Sequence, residues 1–293
     1  MPAEQGRLGV SAVGGTVRIG GQALADGVLM RTGLAWAVAR EDGSVQVGTL
    51  PARPWQRVPV VRFLGGLATG VRLAVARGML GRGAGHPVSK AARRRNARFL
   101  WALLGVEGAG LAFSLLVDPR VHATWATLAV TAGPWVAAFA VLRLVTPGSL
   151  WRYHGAEHKA VAAHEAGVDL GDVAAVLACP RVHDRCGTNL VFLAMLGGLV
   201  LTGLPGPFQL PAFLAMVATT AEVVSLAARR PRSRLSRAVL TGGRALQRFV
   251  TTAEPTAAEQ AVGCRALAAC LAHHHRVAGT RAGGSGVLQP ARP

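Results

Sequence analysis

Alternating apolar and polar positions dominate the start of the chain, and long apolar runs dominate its middle. Thr16-Val17-Arg18-Ile19 alternates, and Asp26-Gly27-Val28-Leu29-Met30-Arg31 follows shortly after. Ala35-Trp36-Ala37-Val38-Ala39-Arg40 and Val45-Gln46-Val47-Gly48 flank Glu41-Asp42-Gly43-Ser44. Two strand-like segments about an Asp-Gly turn predict a β-hairpin. Residues 1–58 therefore read as a β-and-turn region, which Pro51, Pro54 and Pro59 break.

Residues 59–80 carry apolar positions interrupted by Arg62, Arg72 and Arg77, a pattern that predicts an amphipathic helix lying at a membrane surface. A Gly-rich and then basic linker extends this unit to residue 98. Four apolar segments follow: Phe99–Val117, Trp125–Val145, Thr188–Leu204 and Pro207–Ala228. Each is close to the ~20 residues that a helix needs to span hydrocarbon. Lys90 to Arg98 precede the first. Arg152, Lys159, Arg181 and Arg185 lie between the second and third, and Arg229 to Arg237 follow the fourth. By the preference of basic residues for the inner side, both termini and the loop 146–187 are expected in the cytoplasm. The predicted fold is mostly α: a four-helix transmembrane bundle over 99–228, a small β-rich cytoplasmic region before it, and a helical C-terminal tail over 229–277. Thr256 with Glu259 reads as a capping box for the last helix, and residues 278–293 read as a disordered tail.

Composition sharpens this picture. The chain is 51% hydrophobic yet carries a net charge of +18, a pairing that suits basic flanks around membrane segments better than a soluble globule. Nucleic acid is not an expected partner, because one Tyr and eight Phe leave little for base stacking and the arginines cluster beside apolar runs. The expected partners are the lipid bilayer and, at the basic flanks, anionic lipid. Cys179, Cys186, Cys264 and Cys270 are too few for a disulfide scaffold and are expected as reduced thiols.

Candidate chemistry centres on Tyr153-His154-Gly155-Ala156-Glu157-His158-Lys159. Ser149 and Gly167 are the expected cap and stop of a helix carrying it. On that helix His154 and His158 stand one turn apart on one face, so two imidazoles can grip one metal ion. Glu157 is placed to take a proton from metal-bound water, as in the inverse H-x-x-E-H zinc signature. Two completions of the coordination sphere are open. His183 and Cys186 would close it as a structural site, whereas Glu222, in the fourth apolar segment, would leave a position for water. Glu165 lies ~10 Å along the helix from His158, which suggests a supporting or substrate-facing role. Lys159, Tyr153 and Arg185 are expected in the same surroundings. Gly20-Gly21-Gln22 resembles the catalytic loop of peptide release factors, but nothing around it supports that activity.

Four stretches together carry a wider likeness: 20–23 with 26–31, 153–159, His183-Asp184-Arg185-Cys186-Gly187-Thr188, and 246–255. On these the chain resembles the YqhQ-like family of bacterial integral membrane proteins, a domain of unknown function described as predicted metal-dependent enzymes. The chain departs from the family pattern at Asp26, Arg62-Phe63, Asp184 and Ala221, and keeps the metal residues. The resemblance implies a multi-pass protein of the bacterial cell membrane with a metal site, and the paired imidazoles make a divalent ion, zinc first, the expected cofactor. The functional expectation is a membrane-embedded metal-dependent hydrolase, peptidases included. The rivals are a scaffold with a structural His/Cys site and a transporter using Glu107 and Glu222.

Overall fold

The computed structural model describes residues 17–50, 146–201, 206–230 and 232–284, with isolated positions between 82 and 144. Strands β1 (Gly20–Leu24), β2 (Gly27–Arg31), β3 (Ala35–Arg40) and β4 (Val45–Thr49) form an antiparallel meander in that spatial order. Gly43 takes φ 87° in the β3–β4 turn, a left-handed conformation that glycine adopts without the Cβ clash. Trp36 is paired with Gly48, and a Cβ there would lie 2.4 Å from the indole.

Successive residues of these strands enter different cores, as the period of two requires. Val28, Met30, Ala35, Ala37 and Ala39 pack with Tyr153, Val161, Val262 and Leu267. Leu24, Leu29, Trp36 and Val38 form a separate cluster with Leu50. Both faces of β3 are thus covered, which explains why Ala35 to Ala39 are buried without interruption. Each fully buried aliphatic side chain here contributes roughly 1.5–3 kcal/mol.

The cover on the first face is helical. Helix α1 (Gly148–Glu165) lies against β1 and β2, and the long α6 (Ala257–Gly284) crosses β2, β3 and β4. The two helices also pack on each other. Gly155 lets α1 touch the chain that leads into α6, since a Cβ there would sit 2.1 Å from the Ala253 carbonyl oxygen. The capping box forms: Glu259 N–H donates to Thr256 Oγ1 at 3.3 Å, and Glu259 Oε2 accepts from Thr256 N–H at 2.9 Å. Ser149 is not the cap of α1. Pro147 holds that position, and Ser149 Oγ donates to the Ala25 carbonyl at 2.9 Å, tying the helix start to the sheet. Gly167 does follow the end of α1, at φ 72°. Helix α6 continues to Gly284, into the stretch expected as a tail.

Between α1 and α6 come α2 (Val173–Leu177), α3 (Gly187–Leu201), α4 (Gly206–Arg229) and α5 (Arg234–Leu246), then a π-helical turn, Gln247–Thr251. Helices α3, α4 and α5 pack on one another, with Val224, Ala227 and Leu240 buried between them and Leu193 and Val239 beside.

The transmembrane bundle is corrected by this arrangement. Among the described residues no helix is long and apolar enough to cross a membrane. Helix α3 has 15 described residues, short of the ~20 a span needs. Helix α4 has 24 residues, with Pro211 and Glu222 inside it. Hydropathy along the chain registers apolar residues without saying what covers them. Here Leu193, Val224 and Ala227 are taken up by helix-on-helix packing against α5. The multi-pass cell-membrane location with two cytoplasmic termini depended on four spans and is corrected with them. The expected spans 99–117 and 125–145, the helix 59–80 and Glu107 lie outside the described residues, apart from isolated positions.

Candidate metal centre

Helix α1 carries the two histidines on the side turned toward the loops before α3 and after α5. His154 Nδ1 lies 2.6 Å from the Thr251 carbonyl oxygen, and His158 Nδ1 lies 2.6 Å from that of Arg181. A carbonyl oxygen only accepts, so each Nδ1 must carry the proton and donate it. In the neutral ring that leaves the Nε2 lone pair of both imidazoles unprotonated. The ring centroids are 4.4 Å apart.

Cys186 supplies the third donor. It immediately precedes α3, and the Thr188 N–H donates to Sγ at 3.4 Å. The Sγ lies 3.4 Å from His154 Nε2. One ligand atom each from His154, His158 and Cys186 lies within 4.8 Å of the other two, a group that could hold a metal ion. A closed circuit ties it together: Thr188 Oγ1 is 3.3 Å from Sγ and 3.2 Å from Thr251 Oγ1, and the Thr251 carbonyl holds His154. The π-helical turn explains why that carbonyl is available. The turn ends at Thr251 and Thr252 is extended, so the Thr251 oxygen has no helical partner and accepts from α1 instead.

Glu157 is buried and is not one of the three donors. It faces β1, where Gly21 makes room for it: a Cβ on Gly21 would lie 2.5 Å from Glu157 Oε1. Burial pushes its carboxyl up to about 7, with His154 and Arg31 pulling the other way. Arg31 on β2 is itself lowered by burial and partly restored by Glu157.

The other expected site residues sit around this core. His183 has its ring centroid 6.0 Å from that of His158, but its Nε2 is 3.2 Å from Glu165 Oε2. Glu165 also pairs with Arg185, so these three form one surface cluster at the end of α1. Glu222 lies on α4, which packs against α3 and α5, and is outside the donor group. Tyr153 points into the sheet core and donates to Glu41 at 3.3 Å; burial and then Glu41 hold its phenol above the usual range. Lys159 Nζ donates to the Leu177 and Cys179 carbonyls at 2.6 and 3.0 Å.

Several residues of the site carried no sequence-based role: Thr251 and Arg181, through their carbonyls, Thr188, Gly21 and Arg31. Most stand in the stretches 20–31, 183–188 and 246–255 that bore the family likeness. Their place in those stretches was the signal available in the sequence.

Residues 142–273 match the model of a family described as protein of unknown function, DUF1385. This DUF1385 match contains all three donors, Glu157 and both carbonyls that orient the rings. Gly21 and Arg31, which line Glu157 from the sheet, precede it. No curated protein and no solved structure matches the chain.

Proposed function

We propose that this chain is a metal-dependent hydrolase of the YqhQ-like kind, with His154, His158 and Cys186 as zinc ligands and Glu157 as the proton-handling group. One observation carries the reading: both Nδ1 atoms are committed to backbone carbonyls, so both Nε2 atoms are left for a metal that Cys186 also reaches. Metal-binding histidines are characteristically oriented by such a second hydrogen bond. The 3.4 Å between His154 Nε2 and Cys186 Sγ is close to the ~3.5 Å expected for nitrogen and sulfur on one tetrahedral zinc. Three protein ligands are the count of catalytic zinc sites, where the fourth position is open.

A divalent ion held there supplies Lewis acidity and a water of lowered pKa. The chain's own residues do the rest. Thr251 and Arg181 fix the ring tautomers. Glu157, buried against β1 and within electrostatic reach of His154, would accept a proton in its carboxylate form and return it to a leaving group. Arg31 limits how far burial neutralises that carboxylate. A closed structural site would need a fourth protein donor, and the nearest imidazole, His183, is engaged by Glu165.

The test is metal content with matched variants. Purified protein is expected to hold about one zinc per chain. His154→Ala, His158→Ala and Cys186→Ser are expected to lose it, while Glu157→Gln keeps it and loses hydrolysis of a mixed peptide and ester panel. Wild type without stoichiometric metal overturns the reading. Metal loss in Glu157→Gln would make Glu157 a ligand and remove it as the base.

A further inference from the structure

The bond that orients His158 ends on a carbonyl in the irregular loop between α2 and α3, and such a carbonyl is only as fixed as its loop. Three side chains hold this one. Lys159, the neighbour of His158 on α1, has a side chain only 6% exposed and grips the loop through the Leu177 and Cys179 carbonyls. The same Nζ lies 3.0 Å from Glu254 Oε2. The other oxygen of Glu254 accepts from Arg181 Nη1 at 2.7 Å. Arg181 Nη2 then donates to the Arg248 carbonyl at 3.0 Å, in the same π-helical turn that presents Thr251 to His154. The path therefore closes on itself, from His158 through Arg181 and Glu254 to Lys159.

We infer that Glu254 is a positioning residue for the metal centre. It balances Lys159 and Arg181 at once, and so keeps the Arg181 carbonyl where His158 Nδ1 can donate to it. Without it, a nearly buried ammonium and a guanidinium would face each other uncompensated across the loop. The inference rests on the metal reading above. It differs from an ordinary surface ion pair in one respect: its cation, Lys159, is only 6% exposed and tethered to the loop, whereas Glu254 itself is 61% exposed, so that water screens part of its loss and the cost in stability stays small beside the disturbance of the centre.

Glu254→Gln separates the two. Zinc affinity, measured by competition with a chromogenic chelator, is expected to fall about 10-fold or more, the usual scale for outer residues of a metal site. The melting temperature in chelator should move by only a few degrees, on the order expected for an exposed pair. Nitrogen-15 spectra of the chelated protein should show His158 losing its uniform Nδ1–H tautomer. Glu254→Asp, which keeps the charge, should recover part of both. Affinity within twofold of wild type together with an unchanged His158 tautomer overturns the inference. Wild type that binds no zinc overturns the metal reading alone; the tautomer in Glu254→Gln then decides, and an unaltered ring overturns this inference as well. If Glu254→Gln proves poorly folded, Arg181→Gln makes the same comparison, and unchanged affinity and tautomer there overturn it.

Discussion

Glu157→Gln in metal-free protein should raise stability, and should do so only above acidic pH. Glu157 is buried, and its carboxyl stands at about 7 against an ordinary value of 4.5. A folded-state value raised above the unfolded one means that the protonated form is the one folding favours. That contribution is complete below pH ~4.5, declines between ~4.5 and ~7, and is gone above. At 1.36 kcal/mol per unit, the carboxylate costs the folded protein about 3 kcal/mol at pH 8. Glutamine keeps the shape and carries no charge, so it avoids that cost. For a chain of this size the gain corresponds to roughly 5–10 °C in melting temperature. The assay is thermal unfolding of wild type and Glu157→Gln in chelator at pH 5 and pH 8. The variant should be the more stable at pH 8, and the difference should largely vanish at pH 5. A difference independent of pH would refute the desolvation argument. Wild type more stable at pH 8 would show that Arg31 and His154 outweigh burial and keep Glu157 ionised.

Two further outcomes follow from the packing. Gly155→Ala places a Cβ 2.1 Å from the Ala253 carbonyl oxygen, so about 1–3 kcal/mol should be lost in denaturant titrations; an unchanged midpoint would mean that the 252–255 segment yields freely. Glu259 is raised by burial, but the Thr256 N–H and the Arg152 guanidinium outweigh that and hold it below the ordinary 4.5. Its contribution is thus present above pH ~4.5 and lost as pH falls through the depressed value. Glu259→Gln should therefore be less stable than wild type near neutrality, by about 1 kcal/mol. The gap should close in acid, and a constant gap from pH 7 to pH 3 would contradict that sign.

Some of this protein was legible along the chain alone. The spacing of His154 and His158 placed two imidazoles on one helical face, because a helix repeats every 3.6 residues whatever surrounds it. The Asp42-Gly43 turn and the Thr256–Glu259 box were legible for the same reason: both are satisfied within a few residues of backbone. The partners of the histidines were not. Thr251 and Arg181 act through carbonyls that every residue type possesses, and a π-helical turn and a loop brought them to α1. Nor could the sequence choose among Glu222, His183 and Cys186, since distance along the chain does not limit distance in space. Apolar runs misled for a related reason. Leu193, Val224 and Ala227 are equally apolar whether lipid or another helix covers them, and only the tertiary structure packs these three against α5 while leaving Leu196, Phe208 and Leu226 exposed.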